Sequence, residues 1–244
     1  MTARSASRRS DTVAGAVRDL PLWQGLRAVL RHDPLTARSR KLSAAGASDR
    51  RVLLTFPRAA LLAPDDPAPL LALVGGELPA PMAAHWATAE VLHLGLDEAE
   101  TGGAVRKLYL EFAPDAAPEP DLAYLALKCG GGRQALHRYD RVAEAGPVLA
   151  SLDLPPVLAE PTEWLAQRSG DLLRVAEPGS ARLSLDIGLA DLDGADDVLP
   201  VVAYLAAAIR PDAPAPQALP SHVALGRDRH GGVFVTLYGW PEDP

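Results

Sequence analysis

The chain has 244 residues, 48% of them hydrophobic and 23% charged, which is enough for one large core and forces no division into two domains. A net charge of -7 excludes the concentrated Lys/Arg surface that nucleic acid requires. The single cysteine, Cys129, excludes an intrachain disulfide or a cysteine zinc cluster, and the expected compartment is the cytoplasm.

Residues 1–19 carry Arg4, Arg8 and Arg9 among Ser and Thr and are not followed by a continuous apolar stretch of signal-peptide type. They are expected to form a disordered tail, with residues 20–244 as one domain. No run of about 18 apolar residues occurs, so no membrane span is expected. Leu22, Leu26, Val29 and Leu30 recur at helical spacing and predict a helix over 20–31. A strand is expected at 51–56, without an evident partner. Residues 69–81 read as helix or loop, and 81–90 as helix.

Four hairpins follow. Residues 91–97 pair with 105–112 across Gly102-Gly103, and 122–128 with 134–142 across Gly130-Gly131-Gly132. Residues 171–176 pair with 181–189 across a Pro178-Gly179 turn, and 222–227 with 233–240 across Gly231-Gly232. Between the second and third hairpins, 146–169 predicts helix, broken around Pro155-Pro156 and resumed at 160–167. Between the third and fourth, 196–210 is the strongest helix, with Asp196 or Asp197 as its cap and Pro200 in its first turn.

The strands alternate in a way that assigns their faces. Side chains on a strand point to opposite faces in turn, so Leu108, Leu110 and Phe112 share one face and Lys107, Tyr109 and Glu111 the other. The apolar helices need an apolar sheet face beneath them, which sends the polar face inward. Successive antiparallel hairpins hide their edges by closing. The expected fold is therefore α+β: antiparallel hairpins alternating with helices, the sheet closed into a barrel with helices outside and a polar lumen. The inward set holds His93 and Asp97, Lys107 with Tyr109 and Glu111, Tyr124 and Lys128, and His137 with Tyr139 and Arg141. It continues with Arg182, Ser184 and Asp186, then His222, and finally Thr236, Tyr238 and Trp240. Four of the five tyrosines fall on it. On an open sheet the same alternation would be a solvated face.

The alternation of helices with strand pairs, the Lys107-Leu108-Tyr109 segment and the final run from Gly232 to Tyr238 resemble the aromatic prenyltransferases of the αββα-repeat barrel class. The resemblance implies a fifth repeat, expected from residues 51–73. It also implies lumen-facing Lys and Arg that hold a diphosphate, and tyrosine rings that shield an allylic cation. The partners it implies are an allylic diphosphate and an aromatic small molecule or peptide, with Mg²⁺ left open as a companion.

A diphosphate leaving group needs several converging cations in a dry chamber, and Lys107, Lys128, Arg141 and Arg182 are the candidates. Tyr109, Tyr124, Tyr139 and Tyr238 offer hydroxyl donors and π faces for a carbocation. Glu111 or Asp97 is the candidate base that removes the ring proton. The alternatives are a non-catalytic barrel that binds a small molecule or peptide, and an enzyme on the same barrel with another anionic substrate.

Other motifs carry less. The segment from Cys129 to Arg133 lacks the Gly-Lys-Ser/Thr of a phosphate loop and reads as a turn. The acidic run Asp191, Asp193, Asp196 and Asp197 departs from calcium-loop spacing. The histidines show no metal spacing, and no Gly-x-Ser-x-Gly occurs.

Overall fold

The computed structural model describes residues 21–98, 104–190, 192 and 194–239. The expected tail at 1–19, the Gly102-Gly103 turn, Asp191, Asp193 and Trp240 lie outside the described residues. The strands are β1 (Leu35–Ser43), β2 (Gly46–Pro57), β3 (Val91–Glu98), β4 (Ala104–Glu111) and β5 (Leu122–Gly130), followed by β6 (Arg133–Arg141), β7 (Leu172–Ala176), β8 (Leu183–Gly188), β9 (His222–Arg227) and β10 (Val233–Tyr238). The helices are α1 (Pro21–Arg27), α2 (Ala68–Val74), α3 (Ala80–His85), α4 (Gly146–Leu152), α5 (Pro156–Ala166) and α6 (Ala195–Ile209).

Each strand pairs antiparallel with the next, and β1 pairs with β10, Ser39 opposite Tyr238 and Lys41 opposite Thr236, so the ten strands form a closed barrel. Consecutive strands joined by short turns place five hairpins at one end. The long connections, most of them helical, fill the other. At Gly131 and Gly132 the backbone takes φ of 59° and 70°, a left-handed pair that a two-residue hairpin turn requires.

The fifth hairpin is β1 and β2, so it comes from 35–57 rather than from 51–73. Neither face of β1 is apolar: Ser39 and Lys41 point in, and Arg38 and Arg40 point out. Arg40 is paired across the strands to Asp49 at 2.6 Å. The period-two hydrophobic signal that marks a strand is therefore missing.

The outward faces are the core. Leu54, Leu92, Leu94, Leu108, Leu110 and Phe112 pack with Leu22, Leu26, Leu70 and Met82 of the first three helices. On the opposite wall Leu185, Ile187, Val223, Leu225, Val235 and Leu237 pack against Val198, Val202, Leu205 and Ala206 of α6. That i, i+4, i+7, i+8 spacing is one helical face.

Two helix details differ from expectation. The N-cap of α6 is Gly194, at φ 83° and without a side-chain cap bond. Asp196 and Asp197 instead occupy the first turn, where carboxylates favour the positive helix end, and Pro200 falls in the second turn. Helix α5 begins at Pro156 itself, because Pro at the first helical position loses nothing, and it continues through Pro161, where one backbone hydrogen bond is forgone.

Leu185 is fully buried beneath α6, whereas Tyr204 on the outer face of α6 is 46% exposed. Leu185→Ala should cost about 2–5 kcal/mol and Tyr204→Ala less than about 0.5 kcal/mol, read by urea denaturation. Equal, small losses would mean that the helices do not seal the outer face.

Candidate active site in the barrel lumen

The lumen holds two neighbouring cavities, about 570 Å³ at the hairpin end and about 230 Å³ towards the helical end. Arg51, Lys107, Tyr109, Tyr139 and Tyr238 line both, and so form the layer between them.

The hairpin-end cavity is cationic. Lys41 from β1, Arg51 from β2, Lys107 from β4, Lys128 from β5 and Arg182 next to β8 reach it from five separate segments. The carboxylates on the same wall are already engaged. Asp97 Oδ2 lies 3.1 Å from Arg51 Nε and 3.3 Å from Lys107 Nζ, and Ser48 Oγ donates to Oδ1 at 2.9 Å. Glu177 faces Arg229 at 3.5 Å. Asp228 accepts the amides of His230 and Gly232 at its own turn. Among the described residues Lys41, Lys128 and Arg182 have no carboxylate partner. Lys41 Nζ sits 4.3 Å from the centre of the Phe234 ring.

The protonation equilibria record this crowding. Burial, aided by repulsion from Arg51 and Arg182, lowers Lys41 to about 8. Burial and the Arg51 charge bring Lys107 to about 7 despite Asp97. Lys128 falls well below the usual lysine value through burial and the Arg182 and Lys107 charges. Burial alone would raise Asp97, but Lys107 and Arg51 outweigh it and hold the carboxyl at about 2.

His137 completes this wall. Its Nδ1 accepts from Arg182 Nη1 at 3.2 Å and lies 3.4 Å from Lys128 Nζ. Burial and the Lys128 and Arg182 charges lower its pKa, so the ring is neutral and Nε2 carries the proton. That Nε2 is buried without a hydrogen-bond partner, with Glu177 at 3.7 Å.

The tyrosines form the middle layer. Ring centroids of Tyr109 and Tyr139 are 6.0 Å apart, and those of Tyr124 and Tyr139 are 5.6 Å apart, both edge-on. Tyr238 stands on the opposite strand of the layer, its ring edge-on to His222 at 6.5 Å. Burial raises the pKa of all four phenols, which keeps their hydroxyls as donors.

Glu111 lies behind the smaller cavity rather than on its wall. Its Oε2 accepts from His93 Nε2 at 2.8 Å, and His93 Nδ1 faces Thr55 Oγ1 at 2.8 Å. Tyr124, which lines the cavity, is hydrogen-bonded to Glu111, and these contacts outweigh burial to hold the carboxyl below its usual value.

The expected site residues therefore separate into groups. Lys107, Lys128 and Arg182 meet in one cavity, which Tyr109, Tyr139 and Tyr238 also line, while Tyr124 lines only the smaller one. Arg141 does not join them: at the helical end its guanidinium donates to the Leu122 carbonyl at 2.8 Å and the Phe112 carbonyl at 2.6 Å, which leaves it a clasp on the barrel rim. Asp97, expected to share the base role with Glu111, is instead committed to Arg51 and Lys107. Lys41 and Arg51 were missed because β1 and the start of β2 show no apolar alternation. His137 and His93 were placed on the inward face and noted as lacking metal spacing, without a role in the site. Among the described residues no three His, Cys, Asp or Glu side chains converge on a point that would hold a metal ion.

No family model matches the chain, and no curated protein sequence does. Solved structures match over most of their length. The complex of NotF with brevianamide F and DMSPP aligns over 85% of this chain and 80% of NotF, with a TM-score of 0.52 at 13% identity. The 6-dimethylallyltryptophan synthase of Micromonospora olivasterospora, in complex with DMASPP and Trp, aligns over 85% and 82%, with a TM-score of 0.50 at 14% identity. The fold is the prenyltransferase barrel. The chain thus carries that barrel's ten strands with very little of its neighbours' sequence, and the lumen side chains must speak for its chemistry.

An anion that enters the cationic cavity requires Lys41 and Lys107 in their charged forms. At pH 6.5 both are protonated in the free protein. At pH 9 each must first be charged, at about 1.4 kcal/mol for every pH unit above its folded pKa. Millimolar sulfate, which does not titrate in this range, should therefore raise the melting temperature more at pH 6.5 than at pH 9. Lys107→Met should shrink the difference. A sulfate effect equal at both pH values and unchanged in the variant would count against this cavity as an anion site.

Proposed function

We propose that the chain transfers a prenyl group from an allylic diphosphate to an aromatic acceptor inside the lumen. One observation carries the reading: Lys41, Lys128 and Arg182 stand unmatched by carboxylates in a cavity whose inner wall is a layer of tyrosines. Uncompensated buried cations are costly, and a polyanionic ligand would offset that cost. The buried Nε2–H of His137 makes no hydrogen bond, with the Glu177 carboxylate 3.7 Å away, and is a further donor open to a ligand oxygen. The neighbours' complexes with DMSPP or DMASPP on the same barrel support this choice of anion.

In the proposed reaction the carbon–oxygen bond of the donor breaks and the diphosphate leaves with the electron pair, its charge taken up by Lys41, Lys107, Lys128, Arg51 and Arg182. Such preorganised charge acts most strongly where water is excluded. The allylic cation forms against the faces of Tyr109, Tyr139 and Tyr238, which stabilise it through their ring quadrupoles and keep water from it. A carbon of the acceptor ring, held in the smaller cavity, forms the new bond. The ring proton then passes to Tyr124 as that hydroxyl gives its own proton to Glu111, and His93 and Thr55 hold the carboxylate in place. Arg141 and Asp97 act as supports: the first fixes the rim and the second anchors Arg51 and Lys107.

Incubation with dimethylallyl, geranyl and farnesyl diphosphates and a panel of aromatic acceptors, read by mass spectrometry, tests the reading directly. Lys128→Ala should weaken donor binding at least ten-fold in calorimetry with a thiolodiphosphate analogue. Glu111→Gln should leave that affinity nearly intact and lower turnover by about 10²-fold or more. Tyr238→Phe should do less harm than Tyr238→Leu, which also loses the π face. A protein that binds none of the three donors is not a prenyltransferase.

A further inference from the structure

The smaller cavity contains a carboxylate that the proposed reaction leaves unused. Asp186 projects inward from the middle of β8. Its cross-strand neighbours on the same face are Leu173 of β7 and Ala224 of β9, neither of which can pair with it. The residue is 8% exposed, lines the cavity, and its Oδ1 is buried without a hydrogen-bond partner. His222 on the same cavity wall is shared: its Nε2 lies 3.5 Å from Asp171 and its Nδ1 3.1 Å from Ser221 Oγ, while its charge and a backbone hydrogen bond at Ile187 only partly offset the burial of Asp186. Arg51 and Lys107 of the dividing layer are both held by Asp97, and Arg182 acts on Asp186 less than His222 does. Burying a carboxylate with one oxygen left unpartnered is costly. Burial accordingly drives its pKa up to about 6, which still leaves it mostly ionised at neutral pH.

The two ends of the lumen are thus opposite in character. The hairpin end has more cations than carboxylates to match them. The acceptor end has Asp186, whose Oδ1 is unpartnered and which shares the single imidazole of His222 with Asp171, beside tyrosine faces that also attract positive charge. We propose that the acceptor is an aromatic amine whose protonated nitrogen pairs with Asp186, so that this side chain selects and orients the ring against the prenyl cation. The proposal names the acceptor class and rests on the reading of the lumen as a prenyl-transfer site. An ammonium–carboxylate pair in this enclosed space would also give directional hydrogen bonds to an otherwise orphaned oxygen. An acceptor with a free carboxylate would instead set like charges against each other, which disfavours its binding.

Three probes of matched ring size separate the outcomes: tryptamine, N-acetyltryptamine and indole-3-propionate. Binding is measured by calorimetry with and without dimethylallyl thiolodiphosphate, for the wild type, Asp186→Asn and Asp186→Ser. Because Oδ1 is unpartnered and burial of the charge is costly, both variants should fold and melt no lower than the wild type. Tryptamine should bind the wild type at least ten-fold more tightly than either other probe, and both variants should lose that preference while binding the thiolodiphosphate as before. Equal binding of tryptamine and N-acetyltryptamine to the wild type overturns the amine site. So does a preference that survives in both variants, or a loss of turnover in Asp186→Asn that is the same for amine and non-amine acceptors, which would make Asp186 a base. A protein that ignores the thiolodiphosphate yet prefers tryptamine through Asp186 overturns prenyl transfer and keeps the amine site.

Discussion

Closure of the sheet through β1 and β10 is the constraint on which the rest depends. With Ser39 opposite Tyr238 and Lys41 opposite Thr236, the inner face of every strand becomes the wall of an enclosed space rather than a wet surface. The same side chains on an open sheet would be solvated, and Lys41 and Lys107 would keep ordinary lysine behaviour. Enclosure makes a neighbouring charge matter: at an effective dielectric constant of about 20, two unit charges 4 Å apart interact by about 4 kcal/mol. The strand that completes the ring is also the one with the weakest hydrophobic pattern. It is held by pairing on both sides and by the Arg40 pair with Asp49 on its outer surface.

Three lumen carboxyls show how one chamber assigns different chemistry to similar groups. Asp97 lies between two cations and is held as a permanent anion at about 2. Glu111 is fixed by His93 and Tyr124, and these contacts keep it below its usual value. Asp186 has apolar neighbours on both sides and is raised to about 6. Environment rather than residue type decides each role, and these environments follow from strand register.

Much of this was legible in the sequence where an apolar face exists to be read. Leu108 and Leu110 outward forced Lys107 and Tyr109 inward, and the same step placed Tyr124, Lys128, His137, Tyr139 and Tyr238 correctly on the inner wall. Alternation carries face but not depth along the barrel axis. Arg141 was therefore grouped with Lys107, although it sits at the opposite end on two carbonyls, and Asp97 was grouped with Glu111. Depth follows from which cross-strand partner each residue meets, and a hairpin's register becomes visible only once its turn is placed. The loss of β1 has a different cause. Its inner face is Ala37, Ser39 and Lys41 and its outer face includes Arg38 and Arg40, so no periodic apolar stripe distinguishes it from a charged loop.

The space itself comes from residues that sequence reading passes over. Gly95 on β3, Ala126 on β5, Ala135 on β6, and Ala224 and Gly226 on β9 share the inward face with the charged and aromatic side chains. A barrel of ten strands is too wide for large side chains from only some positions to fill, so small residues between them leave cavities rather than a packed core. Placement matters as much as number. The Lys107 side chain lies directly over Gly95, where an added Cβ would meet Lys107 Cβ and Cδ at 3.3 Å, so the glycine lets the lysine lie across β3 towards Asp97. Ala224, opposite Asp186 on β9, likewise places no large or polar side chain beside that carboxylate. Both charge and space in this lumen are thus written by alternation on the inner face, large polar groups setting the chemistry and the small residues between them deciding where a substrate can reach it.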